Sequence, residues 1–244
     1  MNQKTNLVFT EASGRSKPKK TKEPKKRTAS EPLLSWDDLP ILAIDPKVLG
    51  KNRIVAHDPH RPESEVFSVL RTKVLLEAQK HGWKRIAITS PTRGCGKSFV
   101  SSNLAISLSH HPDMRTVLLD MDLRQPSLNN YFGIETQTSI SDALTGKAKF
   151  NEPLNRIGPR LAVGVGVNSV TNSGAILSSR ATEDVIDMIE ASYTPDLILF
   201  DTPPVNYLDD MLSLFAQTDG VVLLLGGGVT TQEEAETAKN LIEK

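Results

Sequence analysis

Lys97 closes a run of small residues that can hold a phosphate. The apolar stretch Arg85-Ile-Ala-Ile-Thr89 reads as a buried strand, Ser90-Pro-Thr-Arg-Gly-Cys-Gly-Lys-Ser98 follows it, and residues 99–108 read as a helix. In a strand–loop–helix passage of this kind the backbone N–H groups of Thr92, Arg93, Gly94, Cys95, Gly96, Lys97, Ser98 and Phe99 can turn around phosphate oxygens, and the helix N-terminus adds positive potential. Lys97 can then reach the β/γ-phosphates while the Ser98 hydroxyl ligates Mg²⁺. The strict glycine-rich pattern has Gly where this chain has Pro91. With strand, Gly-x-Gly-Lys-Ser and helix in order, the segment reads as a nucleotide-phosphate loop and not as a plain turn.

Two further apolar strands end in acids. Val117-Leu-Leu119 runs into Asp120-Met-Asp122-Leu-Arg124-Gln-Pro126, and Leu197-Ile-Leu-Phe200 runs into Asp201-Thr-Pro-Pro204. Ligands of a parallel sheet bind beyond the carboxyl ends of its strands, so Asp120, Asp122 and Asp201 are expected to converge on the loop of Lys97. Carboxylates there can hold Mg²⁺ directly or through water, and one can take a proton from an attacking hydroxyl. A single Asp after a strand is commonly a cap or turn residue. Three strand ends meeting one loop point to chemistry. The expected metal set is Ser98, Asp120 and Asp201, with Asp122 as the base.

The elements that must position these residues alternate in type. The pattern predicts a helix from Glu63 with Val66, Leu70 and Val74 on one face, strands at 84–89, 116–121, 161–167, 196–200 and 220–225, and helices at 98–110, 181–191, 207–217 and 231–243. Strands apolar throughout imply a sheet covered on both faces, hence an α/β, doubly wound, mostly parallel architecture. Residues 126–160 are less readable and are expected to hold a small helix around Ile140 to Leu144.

These motifs together carry a family resemblance. Thr-Ser-Pro-x-x-Gly-x-Gly-Lys-Ser, Val-Leu-Leu-Leu-Asp-x-Asp-Leu-Arg-x-Pro and Asp-Leu-Ile-Leu-Phe-Asp-Thr-Pro-Pro are similar to the Walker A, A′ and B motifs of the bacterial tyrosine kinases (BY-kinases) of capsule and exopolysaccharide assembly. Glu65-Val-Phe-Ser-Val-Leu-Arg-Thr72 resembles that family's Glu-x-x-Arg-x-x-Arg-Thr oligomerisation helix, and Asn172-Ser-Gly-Ala-Ile-Leu-Ser-Ser179 a segment before its fourth strand. The resemblance spans residues 62–244. It implies a P-loop NTPase fold of the MinD/ParA-related type, ATP and Mg²⁺ as cofactors, and γ-phosphoryl transfer to tyrosine, with Lys97, Asp120, Asp122 and Asp201 catalytic. It further implies a homo-oligomer and a membrane partner, a chain-length-regulator (Wzz-type) polysaccharide co-polymerase. That partner is expected to meet the 32–54 arm and the loops near Asp122.

The chain departs from the pattern in places. Ser68 stands where the first Arg of the oligomerisation helix is expected, and Tyr131, Tyr193 and Tyr207 are its only tyrosines, whereas the family carries a C-terminal tyrosine cluster. The sequence also stops within a helix where the family continues into another strand, so a short form or a C-terminal truncation is expected. One alternative is therefore a kinase-family ATPase without autokinase output. Another is a ParA/MinD-like switch ATPase, although its signature lysine would fall at Thr92. Tyr131, in the less readable region, is the expected acceptor if any of the three serves.

Charge divides the chain. Overall it is neutral, with 29 basic and 29 acidic residues among 244. Residues 1–30 nonetheless hold nine Lys/Arg against Glu11 and Glu23, leaving the rest acidic. Such a segment, poor in apolar side chains, is expected to be a disordered basic arm, with attraction to anionic lipid as one use. Residues 31–61, punctuated by Pro32, Pro40 and Pro46, are expected to form an extended linker. A lone cysteine fits a reducing compartment. With no apolar run near the ~18 residues of a spanning helix and no signal peptide, a cytoplasmic protein is expected, recruited to the inner face of the plasma membrane by its partner. No nucleic-acid partner is expected, because the arm has no aromatic residue for stacking between Arg15 and Arg27.

Overall fold

The strand runs that are apolar at every position each serve two cores at once. A computed structural model of the protein describes residues 6–12, 34–206 and 209–243. Its strands are β1 (Asn6–Glu11), β2 (Arg85–Thr89), β3 (Thr116–Asp120), β4 (Leu154–Ile157), β5 (Leu161–Gly164), β6 (Leu197–Asp201) and β7 (Gly220–Leu225). They form one sheet in the order β1-β7-β2-β6-β3-β5-β4. The strands β7 to β5 are parallel, and β1 and β4 add antiparallel edges. Successive side chains alternate across a strand. Ile86, Ile88, Leu118, Leu197 and Leu199 enter one core, whereas Ala87, Val117, Leu119, Ile198 and Phe200 enter the other.

Helices cover both faces, as the doubly wound reading requires. Toward one lie α1 (Pro46–Lys51), α2 (Ser64–His81), α3 (Lys97–Ser109) and α4 (Leu128–Phe132). Toward the other lie α5 (Ile140–Leu144), α6 (Ser173–Leu177), α7 (Arg180–Tyr193), α8 (Asp209–Phe215) and α9 (Gln232–Ile242). Helix α2 buries Phe67, Leu70, Val74 and Ala78. Val66, expected on that face, is 67% exposed. At about 100° per residue it lies a quarter-turn or so outside the stripe that Phe67 and Val74 define.

Three expectations change. Asn6–Glu11, placed in the disordered arm, pairs along β7 in register Glu11↔Gly220 through Asn6↔Leu225. Val8 faces one core while Leu7 and Phe9 face the other, so these three residues suffice to cap an edge that would otherwise present unpaired N–H and C=O groups. The rest of the arm, including the basic run 15–27, lies outside the described residues, as does Tyr207. Residues 34–61 are not simply extended either: they include α1, capped by Asp45 with Pro46 at its start, and two single 3₁₀ turns. Finally, the less readable stretch hides β4, a four-residue edge strand.

The 34–61 segment is built into the fold. Trp36 and Leu39 are buried, the Trp36 Nε1–H donates to the Pro159 carbonyl at 2.7 Å, and its ring meets Tyr193 edge-on with centroids 6.4 Å apart. Trp36→Ala should therefore cost about 3–5 kcal/mol, the usual range for deleting a core aromatic. A chemical-denaturation midpoint equal to that of the wild type would show that this segment merely rests on the surface.

Candidate active site

The phosphate loop folds as its glycines dictate. Gly94 and Gly96 have φ of 81° and 86°, the left-handed region where a side chain is strained, and Gly96 caps α3. The Gly96 carbonyl accepts from the Val100 N–H at 2.9 Å, starting the helix that carries Lys97 and Ser98. The approach is pinned from within: the Ser90 hydroxyl donates to the Thr92 carbonyl at 2.6 Å, and the Thr89 hydroxyl to the Pro203 carbonyl at 2.8 Å. Arg93 is exposed, and Thr92 and Cys95 turn inward, their Oγ1 and Sγ 3.6 Å apart. The Phe99 side chain does not face this loop. It packs edge-on against Phe67 of α2 at 5.6 Å.

Beside the loop two acids stand as cross-strand neighbours, Asp120 on β3 opposite Asp201 on β6. Both are fully buried. The Asp120 Oδ2 accepts from the Ser127 and Leu128 N–H groups at 2.9 and 3.0 Å, and the Asp201 Oδ1 accepts from the Ser101 hydroxyl at 3.0 Å. Their other oxygens, Asp120 Oδ1 and Asp201 Oδ2, are buried with no hydrogen-bond partner. Burial, and then the neighbouring Asp201, holds the Asp120 carboxyl well above the usual range. Burial pushes Asp201 up to about 6, offset in part by the Ser98 hydroxyl, Lys97 and the Ser101 hydroxyl. Buried this close together, the two acids hold protons more tightly than usual, and a bound cation would favour their ionised forms. Their vacant oxygens, hard and anionic, suit Mg²⁺, and the Ser98 hydroxyl is in reach of the same region through the 2.8 Å bond it accepts from Ser127.

Asp122 sits half-buried on the turn after β3. Burial raises its carboxyl, while Lys97, the Gln125 N–H and Arg93 pull the other way. The structure thus brings together Lys97, Ser98, Asp120, Asp122 and Asp201, as their sequence contexts predicted. Ser101 and Ser127, which hold the two acids, were not foreseen. Ser101 lies one helical turn after Ser98 on α3, but a serine inside a helix carries no signal of where it points. Gly166 is another: a Cβ there would stand 2.3 Å from Pro126 and 3.5 Å from the Asp120 carboxyl carbon, so only a glycine lets the two loops meet.

Tyr131, the expected acceptor, lies in α4, half-buried, its carbonyl accepting from the Asn52 amide at 3.1 Å. Tyr193, in α7, is buried in the core.

Comparison with known proteins gives the family of the fold. The ParA family model, described as NUBPL iron-transfer P-loop NTPase, matches residues 83–239, from just before β2 into α9. The tyrosine-protein kinase YwqD of Bacillus subtilis is 28% identical over 195 residues, covering 80% of this chain and 81% of that protein. The chain belongs to the bacterial tyrosine-kinase branch of the ParA-type P-loop NTPases. The putative tyrosine-protein kinase EpsB of Ralstonia solanacearum is 33% identical over 178 residues, 72% of this chain but only 23% of its own length. Among solved structures, the chimerical protein CapA2B2 superposes with a TM-score of 0.66 at 25% identity, covering 84% of this chain and 88% of that one. The ParA-type P-loop NTPase fold accordingly implies nucleotide binding.

The raised Asp201 carboxyl has a measurable consequence. The folded protein retains a proton that the unfolded chain releases above pH 3.8, so this group's contribution to stability is full below that pH and lost as pH rises through about 6. Asp201→Asn, which does not titrate, should unfold at a higher temperature than the nucleotide-free wild type above pH 6 and converge with it near pH 4. It should also lose any Mg²⁺-induced rise in midpoint. A wild-type melting profile across this range would show that the carboxylate carries no such burden.

Proposed function

We propose that this chain binds ATP with Mg²⁺ and transfers the γ-phosphoryl group to a tyrosine hydroxyl, in the service of capsule or exopolysaccharide synthesis and export. The observation that carries this reading is the pair of buried acids, Asp120 and Asp201, each with one vacant oxygen beside the phosphate loop. Mg²⁺, when bound, neutralises charge on the β- and γ-phosphate oxygens. Asp120, Asp201 and Ser98 are the residues that would hold it, Asp201 through water. The backbone of residues 92–99 cradles the phosphates, and Lys97 stabilises charge building on the transferring group. Asp122, near Lys97 and on a different strand end, accepts the proton of the attacking hydroxyl. Its raised carboxyl lies closer to neutrality than an exposed aspartate, which suits a base.

The acceptor hydroxyl comes from outside the described residues. Tyr193 is in the core and Tyr131 is fixed in α4 near the site. A helix-bound phenol cannot readily swing into line with the γ-phosphorus, and in-line geometry is what the reaction requires. The partner in this reading is a membrane protein of the chain-length-regulator type that activates the domain. No helix among the described residues is long and apolar enough to cross a membrane, which fits recruitment by such a partner. The same ParA-type fold serves switch ATPases, and the two readings differ in product: phosphotyrosine or free phosphate.

Incubation with γ-labelled ATP and Mg²⁺, with a tyrosine-containing peptide supplied, separates them. Phosphotyrosine on the peptide is expected. Free phosphate alone would replace the kinase reading with a switch or silent ATPase. Lys97→Met should fold normally by circular dichroism and lose about 10²- to 10³-fold in turnover, the cost of removing one charge-stabilising donor; wild-type turnover would overturn the assignment of the loop. Autophosphorylation of the chain should be weak, because Tyr131 and Tyr193 are held within helices, and mass spectrometry showing high occupancy on any of the three tyrosines would restore a full autokinase.

A further inference from the structure

Arg124 has a partner that is neither phosphate nor acid of the site. Its Nε–H donates to the Asp210 Oδ2 at 2.7 Å and its terminal NH₂ group to Oδ1 at 3.3 Å, a two-point fork. Asp210 lies in the first turn of α8 and is 1% exposed. Its Oδ2 also accepts from the hydroxyl of Ser173, fully buried at the start of α6. The backbone of the same turn is fastened twice more from the segment leading into α6. The Val170 N–H donates to the Leu123 carbonyl at 2.8 Å, and the Ser169 hydroxyl to the Arg124 carbonyl at 2.7 Å. These bonds flank Asp122, whose carbonyl and Oδ1 accept from the Gln125 N–H at 3.0 and 3.2 Å.

The chain path gives this cluster its meaning. Asp122 follows β3, whereas α8 is the helix that follows β6 and Asp201. The fork therefore ties the turn after β3 to the helix after β6, with α6 as the third leg. An ion pair with one buried partner is a poor device for stability, since desolvating Asp210 offsets much of the attraction, and apolar residues of similar volume usually hold two elements together at least as well. What a guanidinium fork on a carboxylate supplies is fixed direction and spacing. We propose that Arg124, Asp210 and Ser173 form a positioning triad that sets where Asp122 stands relative to the nucleotide phosphates. Asp210 and Ser173 thereby become determinants of phosphoryl transfer although neither touches the reacting atoms. The inference rests on the kinase reading above for its catalytic consequence, but not for its geometric one.

The test replaces the triad by apolar residues, Arg124→Met with Asp210→Leu and Ser173→Ala, and compares it with Arg124→Lys and the single Ser173→Ala. The triple variant should unfold at or above the wild-type midpoint and bind a fluorescent ADP analogue within about twofold of the wild type, because the phosphate loop is untouched. Its kcat for peptide phosphotyrosine should fall about 10²-fold with little change in KM for ATP, as a displacement of about 1 Å in a reacting geometry does. Arg124→Lys, which keeps charge without the fork, should fall between. Hydrogen exchange gives a readout free of catalysis. The amides of residues 122–125, of Ser127 and of Val170 should exchange at least tenfold faster in the triple variant, those of β2 and α3 unchanged. Should the triple variant not fold, the same two measurements on Ser173→Ala and Arg124→Lys decide, in the same directions. Wild-type kcat together with wild-type exchange in a folded variant would overturn the proposal. If the wild type itself makes no phosphotyrosine, the kinase reading fails, and the exchange data alone then sustain or refute the triad.

Discussion

Two carboxylates, Asp120 and Asp201, are held side by side in a dry sheet end with one oxygen of each left unpaired. Taking an anion out of water is expensive, and placing a second one beside it adds repulsion. The surrounding structure is arranged to withstand this arrangement. The Ser127 and Leu128 amides brace one carboxylate and the Ser101 hydroxyl the other, each leaving its remaining oxygen available. The start of α3 brings Lys97 and Ser98 alongside. A site with this stored repulsion is strongly disposed to accept a cation and the phosphates that come with it.

The sheet makes such precision achievable. Asp120 and Asp201 are neighbours because β3 and β6 pair in parallel from Thr116↔Leu197 onward, and their register is fixed by side chains that alternate into two separate cores. Slipping the pairing by one residue would turn every core residue of a strand to the wrong face. The position of each acid is thus guaranteed by packing some distance from it. What the sheet cannot fix is the turn beyond the strand, where Asp122 sits. That turn is held by side chains from α6 and α8, elements that belong to another layer.

Legibility in the sequence followed the same division. Lys97, Ser98, Asp120 and Asp201 could be read because each terminates a strand or starts a helix, and an apolar run of three or four residues ending in Asp is a local signal. The parallel order of the central strands followed from their unbroken apolarity. Ser101, Ser127, Ser173 and Asp210 could not be read. Their roles depend on which element packs against which, and a serine inside a helix gives the same local signal wherever it points. Trp36 was hidden for a related reason: prolines around it suggested a chain passing over the surface, while its burial depends on the Pro159 carbonyl and the Tyr193 ring. The short edges β1 and β4 have too few residues for periodicity to separate them from loop.

Strand β1 bears on how the molecule comes into being. Its partner β7 is about 200 residues further along the chain. Closing a loop of that length costs about 5 kcal/mol in chain entropy, and nothing repays it until β7 has itself been set into the sheet by β2. Strand β1, which precedes the other described strands in the chain, is therefore among the last to find its place. Until then its Leu-Val-Phe centre is an unpaired edge sequence of the sort that invites association with other chains. A lysine-rich run follows it in the sequence, and like charge of that kind flanking an apolar strand opposes such association.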